Sequence, residues 1–491
     1  MLNNEKLATE TLLKFFGFAG FRPGQLEIVL AILDELDILA ILPTGGGKSL
    51  CFQVPALIFP GTSLVISPLI SLMKDQVDHL EKAGVSATYL SSNLSREEID
   101  KRLTKLSNGE YKLFYLAPER LENKKIIEIC QQINISYLVV DEAHCISLWG
   151  HQFRPSYQKI PEFIEKIQKN NKKIAIAAFT ATATSLVCEE IKKFLKLQKP
   201  TIFSGGFLRK NLIFHNLVCE DNWTKNTYLF KLLKDHQTEN IIIYCSTRIE
   251  CERLFKLIKF YDFRNIYELD IYHGGLEKNK REQSQNKFLS GQTKIMIATN
   301  AFGMGVDKSD IRIVIHYQIS ANLENYYQEA GRAGRDGKMS FVYLLYSEKD
   351  LLIQAAMINN SYEDLENQRR QIEIDKLSTI KKYALSKTCL QTKIINYFGQ
   401  NNKESSCKNC YNCLKIKIEL NELEKEFVKK LEIINQKYLD KINCKNLPNL
   451  FTIRQMELMA ILEPKNISDL RKIPGVGSDI IYFYANQRIG S

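Results

Sequence analysis

A chain of 491 residues, 45% hydrophobic and 25% charged, can build real cores and has room for roughly three or four domains at about 150 residues each. No apolar run approaches the roughly 20 residues that cross a bilayer, which excludes a membrane-spanning class and leaves no membrane among the expected partners. A formal charge of +11 favours an anionic partner, and twelve mostly scattered cysteines point to a reducing compartment rather than a disulfide scaffold.

The start, Met1-Leu2-Asn3-Asn4-Glu5-Lys6, has neither the basic opening nor the apolar core of a signal peptide. Short apolar runs then alternate with amphipathic stretches, the pattern of a parallel α/β fold. Strands are predicted at Ile38–Leu42, Ser63–Ser67, Lys112–Leu116, Tyr137–Val140 and Ile174–Phe179. A second series covers Ile241–Tyr244, Lys294–Ala298, Ile311–His316 and Phe341–Leu345. The glycine-containing stretch Ser204–Asn211 separates the two series, placing one α/β lobe at 1–205 and a similar one at 206–347. From Tyr346 onward the strand signal fades into polar, helix-favouring sequence that ends in a cysteine cluster, a third unit over 348–413. Between Lys376 and Lys417 there are nine lysines and one acidic residue, Glu404, which fits a phosphate-binding face or a solvated surface. The remainder, 414–491, is rich in Lys and Glu and helical in pattern.

Several clusters carry chemistry. Pro43-Thr44-Gly45-Gly46-Gly47-Lys48-Ser49 lies between a predicted strand and a helical pattern. Three glycines let backbone N–H groups turn toward phosphates at a helix N-terminus; Lys48 would neutralise the β- and γ-phosphates and Ser49 would ligate magnesium. The strict pattern asks for Gly where this chain has Leu42, so a plain glycine-rich turn is the competing reading. Asp141-Glu142 closes a buried-strand pattern, as suits a magnesium ligand followed by a base for water. Trp149, His151, Phe153 and Arg154 follow at once, aromatic and basic groups of the kind that stack on unpaired bases, although a buried core Trp is the plain alternative. Arg332 and Arg335 stand three apart, where both can point the same way and meet a γ-phosphoryl group, or serve as surface ion-pair partners. Cys389, Cys407, Cys410 and Cys413 include two overlapping C-x2-C units and supply the four thiolates of a closed zinc shell; a redox pair is the runner-up.

In this order the motifs resemble those of the RecQ family of superfamily-2 DNA helicases over roughly residues 10–413. Phe18, Arg22 and Gln25, in Phe15-Phe16-Gly17-Phe18 and Phe21-Arg22-Pro23-Gly24-Gln25, resemble its motif 0, which implies that the Gln25 amide selects adenine. Ser67–Gln76 and Ala117–Arg120 resemble motifs Ia and Ib; Asp141–Pro155 resembles motif II and the aromatic-rich loop; Phe179–Thr184 resembles motif III. Ile242–Arg248, Ala298–Lys308 and Gln328–Gly337 resemble motifs IV, V and VI, which adds Asp307 to the nucleotide site. The superfamily's Pro-Thr-Gly-x-Gly-Lys variant accommodates Leu42, whereas Leu148 departs from a position that is usually polar. The resemblance implies two RecA-like parallel-sheet lobes, a helical zinc-binding module and a small helical tail. It implies ATP, Mg²⁺ and one structural Zn²⁺. The implied activity is an ATP-dependent, 3′ to 5′ helicase on single-stranded and forked DNA in repair and recombination, cytoplasmic and nucleoid-associated, alongside repair or single-strand-binding proteins. An RNA helicase, or a remodelling ATPase that separates no strands, are the alternatives. Met459–Pro464 and Leu470–Gly477 resemble the second half of a helicase-and-RNase-D C-terminal domain, so no winged helix is expected. The turn at Gly475-Val476-Gly477 also reads as a helix-hairpin-helix contact to DNA backbone, and the tail is expected to be removable without loss of ATP turnover.

Overall fold

The computed structural model describes residues 2–43, 45–91, 94–147, 153–168, 173–205, 208–262, 264–303, 308–361, 367–399, 406–442, 450–477 and 481. Thr44, Leu148, Trp149, His151 and Asp307, all singled out above, lie outside the described residues.

The first sheet contains β1 (Ile38–Ile41), β2 (Thr62–Ile66), β3 (Ala87–Leu90), β4 (Leu113–Leu116), β5 (Ile135–Val140), β6 (Ile176–Thr180) and β7 (Thr201–Ser204). All pair in parallel in the order β3-β4-β2-β5-β6-β1-β7. The second contains β8 (Leu212–Val218), β9 (Asn240–Tyr244), β10 (Leu269–Tyr272), β11 (Ile295–Ala298), β12 (Ile311–His316) and β13 (Ser340–Tyr346), again parallel, in the order β10-β11-β9-β12-β13-β8. The predicted alternation is therefore a pair of parallel sheets with helices on their faces, the RecA-like arrangement. Strands buried on both faces are largely apolar, as β1 and β4 are.

Parallel topology puts every loop that leaves a strand's C-terminal end on one edge of its sheet, where open α/β sheets bind ligands. The glycine-rich loop leaves β1, Ser67-Pro68 leaves β2, Ala117–Arg120 leaves β4, Asp141-Glu142 leaves β5, and Thr182–Thr184 leaves β6. Two residues inside the motif stretches have a plain structural task. Thr184 accepts from the Val187 N–H and Thr247 from the Glu250 N–H, capping the helices Ser185–Phe194 and Arg248–Tyr261.

Helices Glu348–Ser361, Asn367–Ala384 and Leu390–Tyr397 cover one face of the second sheet. Leu377, Ile380, Tyr383, Leu390, Ile394 and Phe398 share an apolar cluster with Ile242, Val314, Val342 and Leu344. The opposite face is covered by helices Asn222–Asp235 and Arg248–Tyr261, and outside these lies the tail. Among the described residues after Cys413 the chain is helical, with Glu422–Ile442, Ile453–Leu462 and Ile467–Arg471, and has no strand. No described helix is long and apolar enough to cross a membrane.

The tail is not a loosely tethered unit. Phe451, Met456, Met459 and Leu470 share one apolar cluster with Leu229, Leu233 and Leu254. Glu424, 2% exposed, meets Lys231 at 3.2 Å and Lys234 at 2.8 Å, and Arg454 reaches Asp221 at 2.7 Å. The expectation that the tail is removable thus meets a physical objection. Deleting residues 418–491 bares an apolar helix layer and leaves the buried Lys231 with Asp235 alone. The truncated protein is expected to melt at a lower temperature and to aggregate, as scanning calorimetry and light scattering would report. A truncation that matches the full chain in both would show that the docked layer contributes nothing.

Candidate nucleotide site and zinc centre

Gly45 and Gly47 adopt positive φ of 80° and 76°, and Gly47 caps the helix Lys48–Ile58. The loop therefore curls back onto the first turn of that helix, where unpaired N–H groups face outward. Lys48 Nζ sits 3.4 Å from Glu142 Oε1, and both side chains are largely buried. Asp141 is held by the Glu142 N–H at 2.9 Å and the Ser67 hydroxyl at 3.5 Å. Burial first, then the Glu142 charge, push the Asp141 carboxyl up to about 7, against the pull of Lys48. Two adjacent carboxylates facing one lysine carry a surplus of negative charge that a divalent cation would offset. Asp141 and Ser49, in the first helical turn, are the residues that fit it.

Glu142 itself has φ 47°, a left-handed backbone that side chains seldom adopt, and it aims the carboxylate back toward the loop. Its second oxygen lies 3.3 Å from His144 Nδ1, and the same ring nitrogen lies 2.9 Å from the Thr180 hydroxyl. Through His144 the Asp-Glu pair thereby touches Thr180 of the Phe179–Thr184 stretch. The described end of the aromatic stretch is also fixed. The Arg154 guanidinium donates to the Pro68 carbonyl at 2.9 Å, and Phe153 lies under Arg369 at 5.0 Å.

Gln25, expected to select adenine, also meets the phosphate loop itself. It is buried, its Nε2 donates to the Gly46 and Gly47 carbonyls at 3.0 and 3.3 Å, and its Oε1 accepts from the Arg22 N–H at 2.8 Å. In this arrangement the amide braces the phosphate loop. Arg22 adds a hydrogen bond to the Gly45 carbonyl at 2.6 Å, while Phe18 stands exposed.

The second lobe closes over this loop. A β-carbon on Gly45 would lie 3.2 Å from the Arg335 Cγ and 3.5 Å from an Arg209 guanidinium nitrogen. Arg22, Pro23, Gly24, Gly45, Arg209 and Arg335 are among the residues lining an interlobe cavity of about 730 Å³, ample for a nucleotide. Arg332, in contrast, is buried inside its own lobe. A β-carbon on Gly303 would collide with its guanidinium, and its charge acts on the Tyr244 phenol, which Arg335 also reaches, more weakly. The sequence treats the two arginines alike; the fold separates them. Arg209 was missed as a site residue because its stretch reads as a boundary; the one available signal was a basic residue beside glycines near the junction.

At the other end, the sulfur atoms of Cys389, Cys407, Cys410 and Cys413 all lie within 4.8 Å of one another. Zinc–thiolate bonds of about 2.3 Å give a tetrahedron with edges of about 3.8 Å, so the four fit one zinc with little movement. Backbone N–H groups already point at the sulfurs: Cys407 to Cys389 at 3.3 Å, Cys410 to Cys407 at 3.2 Å, and Leu390 to Cys410 at 3.4 Å. Such donors favour thiolates. Cys410→Ser is expected to remove the one zinc per chain and most of the soluble yield, because metal binding is folding free energy here; metal analysis of the purified variant checks it.

Two parallel lobes with a phosphate loop and an Asp-Glu pair in one, faced by an arginine of the other, define a superfamily-2 helicase core. Family profiles agree in chain order: DEAD/DEAH box helicase at residues 22–191, helicase conserved C-terminal domain at 224–337 and RecQ zinc-binding at 348–414. The ATP-dependent DNA helicase RecQ of Bacillus subtilis is 44% identical over 407 residues, 83% of this chain and 66% of the relative. A putative ATP-dependent RNA helicase of Acanthamoeba polyphaga mimivirus is 36% identical over 81% of this chain and 70% of its own length. The crystal structure of the DUF1998 helicase MrfA bound to DNA and AMPPNP superposes with a TM-score of 0.58 at 16% identity, over 71% of this chain and 51% of that one, a likeness of fold. The chain belongs to the RecQ family. It spans just under two thirds of the length of the first curated relatives, 66%, 62% and 63%.

Proposed function

We infer that this protein is an ATP-dependent DNA helicase or translocase that moves 3′ to 5′ on single-stranded DNA and acts on forked or single-stranded substrates in repair and recombination. The division follows the predicted units: lobes at 1–205 and 206–347, a zinc module at 348–413 and a short tail at 414–491. The observation that carries the reading is the cleft in which Gly45, on the loop that leads to Lys48 and its partner Glu142, lies against Arg335 of the other lobe.

Phe18, Arg22 and Gln25 serve the base side; Thr44 to Ser49 hold the phosphates; Asp307, by its place in the motif V stretch, is assigned to the same nucleotide site. A magnesium ion held by Ser49 and Asp141 would supply charge neutralisation at the phosphates. Glu142 orients the attacking water and takes its proton, and Arg335 stabilises the charge that grows on the γ-phosphoryl oxygens. The loops after β2 and β4, together with Trp149, His151, Phe153 and Arg154, take the DNA strand. Arg154 on Pro68 and His144 between Glu142 and Thr180 link that strand to the nucleotide. A cytoplasmic, nucleoid-associated setting alongside single-strand-binding or repair proteins completes the reading.

ATP turnover should rise strongly on adding single-stranded DNA and little on adding RNA of the same sequence. A forked duplex with a 3′ tail should be separated in preference to one with a 5′ tail. RNA stimulation equal to that by DNA would favour the RNA helicase reading, and DNA-stimulated turnover without displacement would favour a remodelling ATPase.

A further inference from the structure

The zinc module touches the arginine turn through a short chain of polar contacts. Gln391, two residues after Cys389, is 3% exposed, and its Nε2 donates to the carbonyls of Leu212 at 2.8 Å and Arg209 at 3.3 Å. Asn409, beside Cys410, donates to the carbonyls of Lys210 at 2.6 Å and Leu212 at 3.4 Å. Both side chains therefore grip one short stretch of main chain, residues 209–212, at the entry to β8.

The side chains of that stretch grip the arginine turn in their turn. Arg209 donates to the carbonyls of Gly331 at 3.4 Å, Ala333 at 3.1 Å and Gly334 at 2.8 Å. Asn211 Nδ2 donates to Gly334 at 2.8 Å and Lys338 at 2.9 Å. Gly334 has φ 58°, and a β-carbon there would lie 2.5 Å from Asn211 Nδ2, so the turn closes onto Asn211 only because the residue is glycine. Five side-chain hydrogen bonds thus bracket the backbone that carries Arg332 and Arg335. The Arg209 carbonyl is itself held from the zinc module, and Asn211 lies between Lys210 and Leu212, whose carbonyls are both held from it.

We propose that Gln391 and Asn409 are positioning residues: the zinc-bound module sets the orientation of the Arg335 turn through residues 209–212. The module's contribution to ATP turnover is then geometric and separate from its contribution to folding. A carbonyl acceptor binds any donor in reach, so the specificity lies in two donors fixed beside cysteines that a bound zinc would hold rigidly. The consequence for turnover rests on the ATPase reading above; the contact chain does not.

The test uses the full-length zinc-loaded protein with Asn409→Ala, Gln391→Ala and the pair. Zinc content should remain one per chain and the melting temperature within a few degrees. Amide hydrogen exchange over residues 331–338 should quicken. The kcat for DNA-stimulated ATP hydrolysis should fall about two- to thirtyfold, with KM for ATP changed less than twofold. In an Arg335→Ala background, Asn409→Ala should cause no further fall, because the group being positioned is gone. Gln391→Asn or Asn409→Gln shifts the donor by one methylene, and partial recovery is expected. Unchanged exchange in 331–338 overturns the proposal whatever the turnover. So does a fall in kcat that persists in the Arg335→Ala background. Quickened exchange in a protein whose wild type hydrolyses no ATP would keep the contact chain and sink the ATPase reading.

Discussion

Glu142→Gln is expected to bind ATP as the wild type does and to hydrolyse it about a hundred- to ten-thousandfold more slowly, the range that a positioned general base contributes. The substitution keeps the shape of the side chain. One Glu142 oxygen lies 3.4 Å from Lys48 Nζ and the other 3.3 Å from His144 Nδ1. An amide can occupy the same place but carries no charge and takes no proton from water. Loss of turnover with retained binding therefore isolates the base from the phosphate cradle. Lys48→Ala should lose the cradle as well, weakening ATP binding while sparing single-strand binding, because the loops proposed to take DNA leave other strands. Single-turnover hydrolysis and fluorescent-nucleotide titration decide it. Near wild-type hydrolysis by Glu142→Gln would place the water-positioning group elsewhere.

How much of this was legible in the sequence follows from what each residue contacts. Every strand predicted from sequence lies in the structure, and the four missed strands, β3, β7, β8 and β10, are the four sheet edges. Interior strands are covered on both faces and read as mainly apolar runs. An edge strand need not be: β7 is mostly exposed, and β10 is half-buried. The β8 case is subtler, because Leu-Ile-Phe-His-Asn-Leu-Val is buried despite its polar centre. His215 packs among Phe341 and Tyr343 of the neighbouring β13 and Tyr411 of the zinc module, and the Asn216 amide donates to the Tyr383 carbonyl, so both polar groups draw on the zinc module as well as on the sheet. A partner nearly two hundred residues away leaves no local pattern. The site divides in the same way. The phosphate loop, the Asp-Glu pair and the cysteine set are local and could be read from spacing. The bracing role of Gln25, the use of Arg209 and the burial of Arg332 depend on contacts between distant segments.

That last contrast makes the sharpest test. Arg335→Ala is expected to lower kcat by about three to five orders of magnitude, the range reported for arginines that reach a transferring phosphoryl group, with ATP affinity and melting temperature little changed. The side chain borders Gly45 across the cleft, so its removal takes charge from the reacting phosphate without opening the core. Arg332→Ala should fail differently. Its guanidinium, 5% exposed, is packed on the Gly303 backbone and acts on Tyr244, whose phenol burial pushes up to about 12. Truncation leaves a void and removes a buried charge beside a buried phenol. The main effect is then on stability, about 1–3 kcal/mol, with turnover falling because motif V shifts. Pairing pre-steady-state kinetics with thermal melting distinguishes the two. If Arg332→Ala keeps the wild-type melting temperature and loses turnover as completely as Arg335→Ala, then Arg332 swings out of its lobe to reach the nucleotide. The division of labour drawn between the two arginines would then be wrong.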